Sequence, residues 1–363
     1  MKNTFGNNIA VTLFGESHGE MIGAVIDGMS PGVKIDGDYI KEKLFLRRPF
    51  GKISTARQEE DDYKIVSGVY NGYTTGTPIT ILIPNSNTKS SDYAALENTP
   101  RPGHADFTAI SKYNGYSDPR GGGHFSGRIT AALVAAGAIV SAALREKGIE
   151  IGTHISYLGG IKDRSFTCYE SDIAILSKKQ FPVIDGAAAL GMKKKIEEAA
   201  SLGDSIGGIL ETAVIGLPAG IGEPWFDTLE GVLSKALFSI PGIKGVEFGQ
   251  GFGLADMKGS EANDPFIMRD GKVITESNNN GGVNGGISNG MPVVFRCAVK
   301  PTPSIFKKQR SVNLLTGENT EIELTGRHDP AIIHRARAVV DAVCAIAIAD
   351  LIATAKAGEA FGN

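Results

Sequence analysis

Three histidines of this 363-residue chain stand in glycine-rich segments of a kind that forms small-molecule sites. His18 lies in Gly-Glu-Ser-His-Gly, His104 in Arg-Pro-Gly-His-Ala-Asp, and His124 in Arg-Gly-Gly-Gly-His-Phe-Ser-Gly-Arg. Imidazole changes protonation near neutral pH, and a nearby carboxylate such as Asp106 can orient it and raise its pKa. Glycine lets the backbone approach a ligand closely. The segments therefore indicate acid–base chemistry on a closely held ligand.

The first of these motifs, at 15–19, leaves two functional interpretations open. It matches Gly-x-Ser-x-Gly, the nucleophile elbow of serine hydrolases, which requires a strand before the motif and a helix after it. Residues 11–14 suit a strand, but residues 21–27 are β-branched and interrupted by glycine, which disfavours a helix. The other interpretations are a tight loop that presents Ser17 and His18 to a ligand, and a turn with an ordinary surface histidine.

Two further segments combine helix-start signals with groups that bind anions. Ser126 suits the N-cap of an apolar helix, and free N–H groups at a helix N-terminus bind anions. Asp329, followed by Pro330, suits another N-cap, although an Arg-His-Asp cluster there equally suits anion and proton handling. Basic residues beside glycine, proline or histidine predict a pocket for a multiply anionic small molecule. These are Arg47, Arg48, Lys52, Arg57, Lys300, Arg327, Arg335 and Arg337.

Composition excludes several classes of protein. The 37 basic and 40 acidic residues leave a net charge of -3, so no global charge attracts nucleic acid or an anionic membrane. No run of eighteen apolar residues and no N-terminal secretory signal is present, so we expect no transmembrane helix and a cytoplasmic protein. The three cysteines lack Cys-x-x-Cys spacing, so no disulfide framework or metal site is expected.

Sequence periodicity predicts mixed secondary structure in a single domain over 1–363. Apolar, alanine-rich stretches predict buried helices at 128–147 and 330–356, the second with Asp329 at its N-cap. Short β-branched runs at Ile79–Ile83 and Val293–Phe295 predict strands. Strands and helices alternate without a regular βαβ rhythm, so we expect an α/β (α+β) sandwich with largely antiparallel sheets. Weaker helices are predicted at 37–46, 189–201 and 227–238.

The chain also contains an internal repeat. Segments 15–32 and 203–220 share glycines and a serine at a constant offset of 188 residues. Glycines and a proline of 68–78 recur in the same order at 282–292, at an offset of 214. Two ordered matches predict an ancient duplication. His18 then has Ile206 as its counterpart, so only one copy carries the ionisable group.

Seven segments, taken in order, closely resemble the chorismate synthase family. They are GESHG at 15–19, RPGHADF at 101–107, RGGGHFSGR at 120–128, SIPGIKGVEFGQGF at 239–252, NGGVNGGISNG at 280–290, KPTPS at 300–304 and GRHDP at 326–330. The resemblance implies conversion of 5-enolpyruvylshikimate 3-phosphate to chorismate and phosphate, the last shared step towards aromatic amino acids. It implies a 1,4-anti elimination that requires reduced FMN, with protein groups that orient and protonate. A serine hydrolase using Ser17 and a non-catalytic protein that binds FMN or phosphate remain the alternatives.

The resemblance also implies roles for individual residues. His18 resembles the acid that assists the departing phosphate, and Ser17 the serine that accompanies it. His104 resembles the group that protonates or stabilises reduced flavin, and Asp329 the group that helps flavin N5 accept the substrate proton. The implied substrate contacts are Arg47, Arg48, Lys52, Ser126, Arg128 and Arg327. The implied flavin contacts are His124, Phe125, Ser126, Pro241, Gly242, Gly285, Lys300, Pro301, Thr302, Pro303, Ser304 and Arg327.

The chain departs from the family pattern at two places. His124-Phe125 stands where many members have Arg-Ser, and Lys52 where many have arginine. The resemblance further implies a β-α-β sandwich with an internal pseudo-repeat, a homotetramer and a phosphorylated dicarboxylate substrate. Some members reduce their flavin with NADPH; no segment for this is evident here, so we expect an external flavin reductant.

Overall fold

The computed structural model describes residues 2–55, 60–86, 98–326 and 328–359. The helices are α1 Gly37–Arg47, α2 Asp106–Tyr113, α3 Thr130–Arg145, α4 Tyr169–Ser177, α5 Gly186–Ser201, α6 Leu229–Leu237, α7 Gly259–Ala262 and α8 Ile333–Glu359. The strands are β1 Thr4–Phe5, β2 Ala10–Gly15, β3 Met21–Asp27, β4 Lys64–Ser67, β5 Val69–Tyr70, β6 Tyr73–Thr74, β7 Ile79–Pro84, β8 Glu150–Leu158, β9 Ile161–Lys162, β10 Gly208–Ile215, β11 Ile243–Phe248, β12 Phe266–Arg269, β13 Lys272–Thr275, β14 Val283–Asn284, β15 Ile287–Ser288, β16 Val293–Val299, β17 Gln309–Val312 and β18 Asn319–Ile322.

Two five-stranded antiparallel sheets repeat one arrangement. Their strand orders are β1-β2-β3-β7-β4 and β9-β8-β10-β16-β11. The offset of 188 residues carries β3 onto β10, and the offset of 214 carries β7 onto β16 and the hairpin β5–β6 onto β14–β15. The predicted antiparallel fold with an internal pseudo-repeat is therefore confirmed.

One hydroxyl makes the same two hydrogen bonds in both copies. Thr74 Oγ1 donates to Ser30 O at 2.6 Å and accepts from Val33 N at 2.9 Å. Ser288 Oγ makes the same two bonds, also at 2.6 and 2.9 Å, to the counterparts 188 positions after those residues. Matched glycines adopt positive φ in both copies, a region that disfavours side chains. The pairs are Gly15/Gly203, Gly28/Gly216, Gly32/Gly220, Gly68/Gly282, Gly72/Gly286 and Gly76/Gly290.

Helices α3 and α8 form the layer between the sheets. α3 packs against β3 and β7, and α8 packs against β8 and β10. The two helices approach so closely that a Cβ on Gly137 would lie 2.4 Å from the Ala342 Cβ. Stretches Gly127–Arg145 and Ile333–Gly358 are long and apolar enough to cross a membrane, but 67% and 72% of their most apolar windows are buried. Such burial is typical of core helices, so their length and composition are weak evidence for membrane insertion.

The starts of these two helices agree only partly with prediction. Ser126 Oγ accepts from Arg128 N, so it caps a 3-10 turn, Gly127–Ile129, that leads into α3. Helix α8 begins at Ile333 rather than at 330. The predicted N-cap role of Asp329 is therefore wrong: Ile332 O accepts the first helical N–H groups, and the Asp329 carboxylate bonds elsewhere.

A buried histidine outside the glycine-rich segments joins β8 to its neighbours. His154 Nδ1 donates to Asp163 Oδ2 at 2.8 Å, and its Nε2 lies 3.4 Å from Glu211 Oε2. Burial alone would lower the pKa of His154, but its hydrogen bond to Asp163 and the nearby Glu211 carboxylate raise it above its usual value. Asp163 also accepts the N–H groups of Ile184 and Asp185, so this ion pair fixes the segment before α5.

We expect His154→Ala to lower the free energy of unfolding by about 3–5 kcal/mol, because it leaves Asp163 buried without its cation. The raised pKa means that the stabilisation is full below about pH 6.5, the usual unfolded-state pKa, and is lost as pH rises through the folded-state pKa. Urea unfolding of wild type and variant between about pH 6 and 9 checks both points. An equal pH dependence in the two proteins would contradict this assignment.

Candidate active site

The turn that carries Ser17 and His18 connects two strands, β2 and β3. Ser17 is fully buried and its backbone N–H donates to Gly123 O at 3.1 Å, which ties the turn to the glycine-rich loop at 120–125. Because a strand and not a helix follows the motif, the nucleophile-elbow geometry of a serine hydrolase is absent from this turn. Ser17 Oγ has no hydrogen-bond partner among the described residues.

Two histidine rings lie against neighbouring glycines of the glycine-rich loop. Gly121 and Gly122 have φ of +60° and +83°. A Cβ on Gly121 would lie 2.7 Å from His18 Nε2, and one on Gly122 would lie 3.1 Å from His104 Cε1. A side chain at either position would press on a histidine ring, so glycine at 121 and 122 lets the loop lie against both His18 and His104.

His104 is held by a carboxylate and an arginine. Its Nδ1 donates to Asp106 Oδ1 at 2.5 Å, and Arg101 Nη2 lies 3.0 Å from the same nitrogen. Arg101 also donates to both oxygens of Asp106, at 2.8 Å each. Burial would raise the pKa of Asp106, but hydrogen bonds from Arg101 and His104 lower it well below its usual range. An ionised Asp106 fixes the His104 tautomer and leaves Nε2 as the group that can exchange a proton with a ligand.

The 300–304 loop lies against this histidine segment. Lys300 Nζ donates to Gly103 O, and a Cβ on Gly103 would lie 3.4 Å from Pro303 Cβ. Arg101 Nη1 lies 3.5 Å from Ser304 Oγ, and Lys300 N donates to the carbonyl of Gly242 at 2.9 Å. The loop therefore contacts both the segment that carries His104 and the 241–242 turn.

His124, Phe125 and Ser126 line the end of the glycine-rich loop. His124 Nδ1 donates to Gly15 O at 2.8 Å, which anchors the loop to the start of the His18 turn. Phe125 is partly exposed and makes an edge contact with Tyr113. His124 therefore supplies a hydrogen bond to the protein backbone through Nδ1, while Nε2 remains available to a ligand.

The Asp329 carboxylate is hydrogen-bonded to the backbone in the first half of the chain. Its Oδ1 accepts from Thr55 N at 2.8 Å, and its Oδ2 lies 2.5 Å from Arg335 Nη1. Arg335 Nε also donates to Arg47 O at 2.9 Å. Burial lowers the pKa of the neighbouring His328. Its Nε2 is a further buried atom without a hydrogen-bond partner in the part of the chain that the structure describes.

Two of the predicted substrate arginines are buried in an ion-pair network. Arg47 Nη1 lies 3.2 Å from Asp61 Oδ2, and its Nη2 donates to Gly127 O at 2.8 Å. Arg128 Nη1 pairs with the other oxygen of Asp61, and its Nε donates to Asn85 Oδ1 at 2.9 Å. Both guanidinium groups therefore bond to the protein itself, which sequence spacing did not indicate.

The remaining predicted cations lie in different surroundings. Arg48 lines a surface cavity of about 640 Å³ beside α1, and Lys52 is exposed on the short turn Gly51–Ile53. His18, His104 and Asp329 do not line that cavity. Arg57 and Arg327 lie outside the described residues. Arg337, another basic candidate, is buried and bonds to Asp341 and to carbonyls at the end of α4.

Four other residues have placements or contacts that the sequence did not predict. Gly285 is exposed at the tip of the β14–β15 hairpin, whose adjacent Gly286 packs against Thr228 rather than against the histidines. Asp61 and Asn85 carried no motif, yet they bond to Arg128. Arg101 belongs to the motif at 101–107. Its position three residues before His104 was the one available signal that it would contact that histidine.

Comparisons with known proteins agree with this architecture. The family model for chorismate synthase matches residues 9–353. A chorismate synthase from Methanosarcina mazei is 48% identical over 349 residues, covering 96% of this chain and 95% of that protein. One from Thermococcus kodakarensis is 44% identical over 354 residues, 98% of each. A crystal structure of chorismate synthase is similar with a TM-score of 0.75 and 28% identity, over 96% of this chain and 92% of that one. This chain belongs to the chorismate synthase family.

Proposed function

We propose that reduced FMN and 5-enolpyruvylshikimate 3-phosphate meet beside Gly121 and Gly122. As a family member the chain is a lyase of the shikimate pathway that forms chorismate, and neither the hydrolase nor the silent binding protein is supported. The observation that carries the proposed location is the glycine pair itself. The His18 ring lies against Gly121 and the His104 ring against Gly122, so a ligand bound at this loop would meet both histidines.

The residues around this loop fit a flavin. Thr302 Oγ1 and Ser17 Oγ are buried polar atoms without partners among the described residues, whereas buried polar atoms normally have one. A bound flavin would supply it. We propose that FMN is held by His124, Phe125, Ser126, the 241–242 turn and the 300–304 loop. Arg327 and Gly285 belong to the same proposal, although Arg327 lies outside the described residues and Gly285 belongs to a separate hairpin. Bound reduced FMN would supply an electron transiently and recover it.

The histidines and Asp329 handle protons in this proposal. His18 donates a proton to the departing phosphate, and Ser17 supports that transfer. His104, oriented by Asp106, protonates or stabilises the reduced flavin near its N1 edge. Asp329, held by Thr55 N–H and Arg335, assists the transfer of the substrate proton towards flavin N5. General acid–base groups of this kind typically contribute about 10²–10⁴ in rate.

Cations hold the substrate's carboxylates and phosphate. We propose Arg48, Lys52 and Arg327 as direct contacts, because such groups recognise phosphate and carboxylate well. Ser126 contributes at the loop end. Arg47 and Arg128 are also proposed as substrate residues, and their pairing with Asp61 holds both guanidinium groups in place.

The supply of reduced flavin and the assembly state complete the proposal. We propose an external flavin reductant in place of built-in NADPH oxidation, a cytoplasmic location and a homotetramer. The chain is also proposed to fold as one domain. One buried cluster, which includes residues of both sheets and of α3 and α8, supports this single-domain arrangement.

Phosphate and chorismate release under anaerobic conditions tests the flavin requirement. We expect turnover with dithionite-reduced FMN, and none without flavin or with oxidised FMN. Turnover with oxidised FMN plus NADPH would overturn the proposed external reductant. Binding of FMN without release of phosphate under any condition would contradict the proposed use of reduced FMN.

A further inference from the structure

Asn85 braces the turn that carries His18. It directly follows β7, and its Nδ2 donates to Glu16 O at 3.0 Å and to Gly19 O at 2.8 Å. Its backbone N–H donates to Glu20 O at 3.1 Å. One side-chain amide therefore donates hydrogen bonds to the carbonyls on both sides of Ser17 and His18 and uses both of its N–H donors.

The other end of the same amide is fixed by an arginine. Asn85 Oδ1 accepts from Arg128 Nε at 2.9 Å, and Arg128 Nη2 donates to Pro84 O at 3.0 Å. Arg128 is in turn paired with the buried carboxylate of Asp61. The orientation of the Asn85 side chain is thus determined at its oxygen as well as at its nitrogen.

These contacts belong to a continuous series of polar side chains that runs from the His18 turn to Asp329. From Arg128 the contacts run through Asp61 to Arg47, whose carbonyl accepts from Arg335 Nε. Arg335 is paired with Asp329. One network therefore contacts both the turn of His18 and the carboxylate of Asp329, and Asn85 links it to that turn's carbonyls.

We propose that Asn85 is a positioning residue for His18, an inference that rests on the proposed role of His18 as an acid. Within the turn, Gly19 N donates to Glu16 O at 3.0 Å, and glycines stand at both of its ends. Such a turn has little rigidity of its own. The Asn85 amide holds the turn so that the His18 ring stays against Gly121.

Two substitutions at Asn85 distinguish support of the His18 turn from the stability of the whole protein. Asn85→Asp keeps an oxygen for Arg128 but replaces the two donated bonds by repulsion from carbonyl oxygens. Asn85→Ala removes all three bonds. Asn8→Ala is the matched control, because it removes an amide bond to Thr354 Oγ1 at the other end of β2.

We expect both Asn85 variants to lower kcat by about 10–100-fold with little change in KM, since loss of a supporting residue typically has that effect. The pH profile of kcat should shift, and the ring ¹H–¹³C signal of His18, assigned with His18→Gln, should move. Asn8→Ala should change neither. The NMR signal reports on the brace even without turnover, so it separates this inference from the proposed function. A wild-type His18 signal and kcat in folded Asn85→Asp would overturn the inference.

Discussion

His18→Ala and His104→Ala should each lower turnover with reduced FMN by about 10²–10⁴, the usual loss for a general acid. His18 is buried against Gly121 and Ser17, so its replacement removes the acid and leaves a small cavity beside the loop. His104 is oriented by Asp106 and Arg101, so its replacement leaves that ion pair intact but without the imidazole. Steady-state phosphate release, with saturating reduced FMN and substrate, measures both losses.

Thermal unfolding and FMN titration accompany these assays. The folded fraction and the affinity for oxidised FMN should change little in His18→Ala, because the loss is proposed to act on the chemical step. His104→Ala is expected to weaken flavin binding as well, since its ring is proposed to meet the flavin. Unchanged turnover in both variants would contradict the roles proposed for His18 and His104.

Gly121→Ala should be nearly as damaging as loss of a histidine. The new Cβ would lie 2.7 Å from His18 Nε2 and 2.9 Å from Ser17 Oγ, distances that force the ring or the loop to move. A displacement of about 1 Å in a catalytic group can cost about 10² in rate. We therefore expect turnover to fall by about 10² or more, with altered His18 ring signals.

Gly115→Ala is the matched control for this substitution. Gly115 has a positive φ of +80°, so alanine there meets comparable backbone strain, but its Cβ would enter open space. Both variants should lose about 1–2 kcal/mol of stability from the left-handed backbone, while only Gly121→Ala loses turnover. Equal turnover in the two variants would contradict steric control of His18 by the glycine loop.

The pseudo-repeat could be predicted because its signal is local. The six glycine pairs named above occupy a positive φ, a conformation that other residues adopt at a cost, so the same turns carry glycine in both copies. The predicted helices at 37–46 and 128–147 likewise correspond to α1 and to α3 with its preceding turn. Apolar periodicity identifies such elements because burial depends on which face is apolar.

The site could be predicted only in part, because long-range pairing leaves no local pattern. Asp61 lies far in sequence from Arg128, and Asn85 far from Gly19, so neither contact has a spacing signature. Asp329 satisfied the composition rule for an N-cap, but the ion pair with Arg335 and the bond from Thr55 hold it ahead of the helix. Tertiary contacts outweighed the capping preference there.

A crystal structure with oxidised FMN and the substrate tests the central claim most directly, since that combination is expected not to turn over. We expect a substrate phosphate oxygen at hydrogen-bond distance, about 2.7–3.2 Å, from His18 Nε2. His104 Nε2 should lie at the flavin N1 edge, with both ligands against Gly121 and Gly122. Flavin and substrate bound together elsewhere, with neither histidine in contact, would contradict the account.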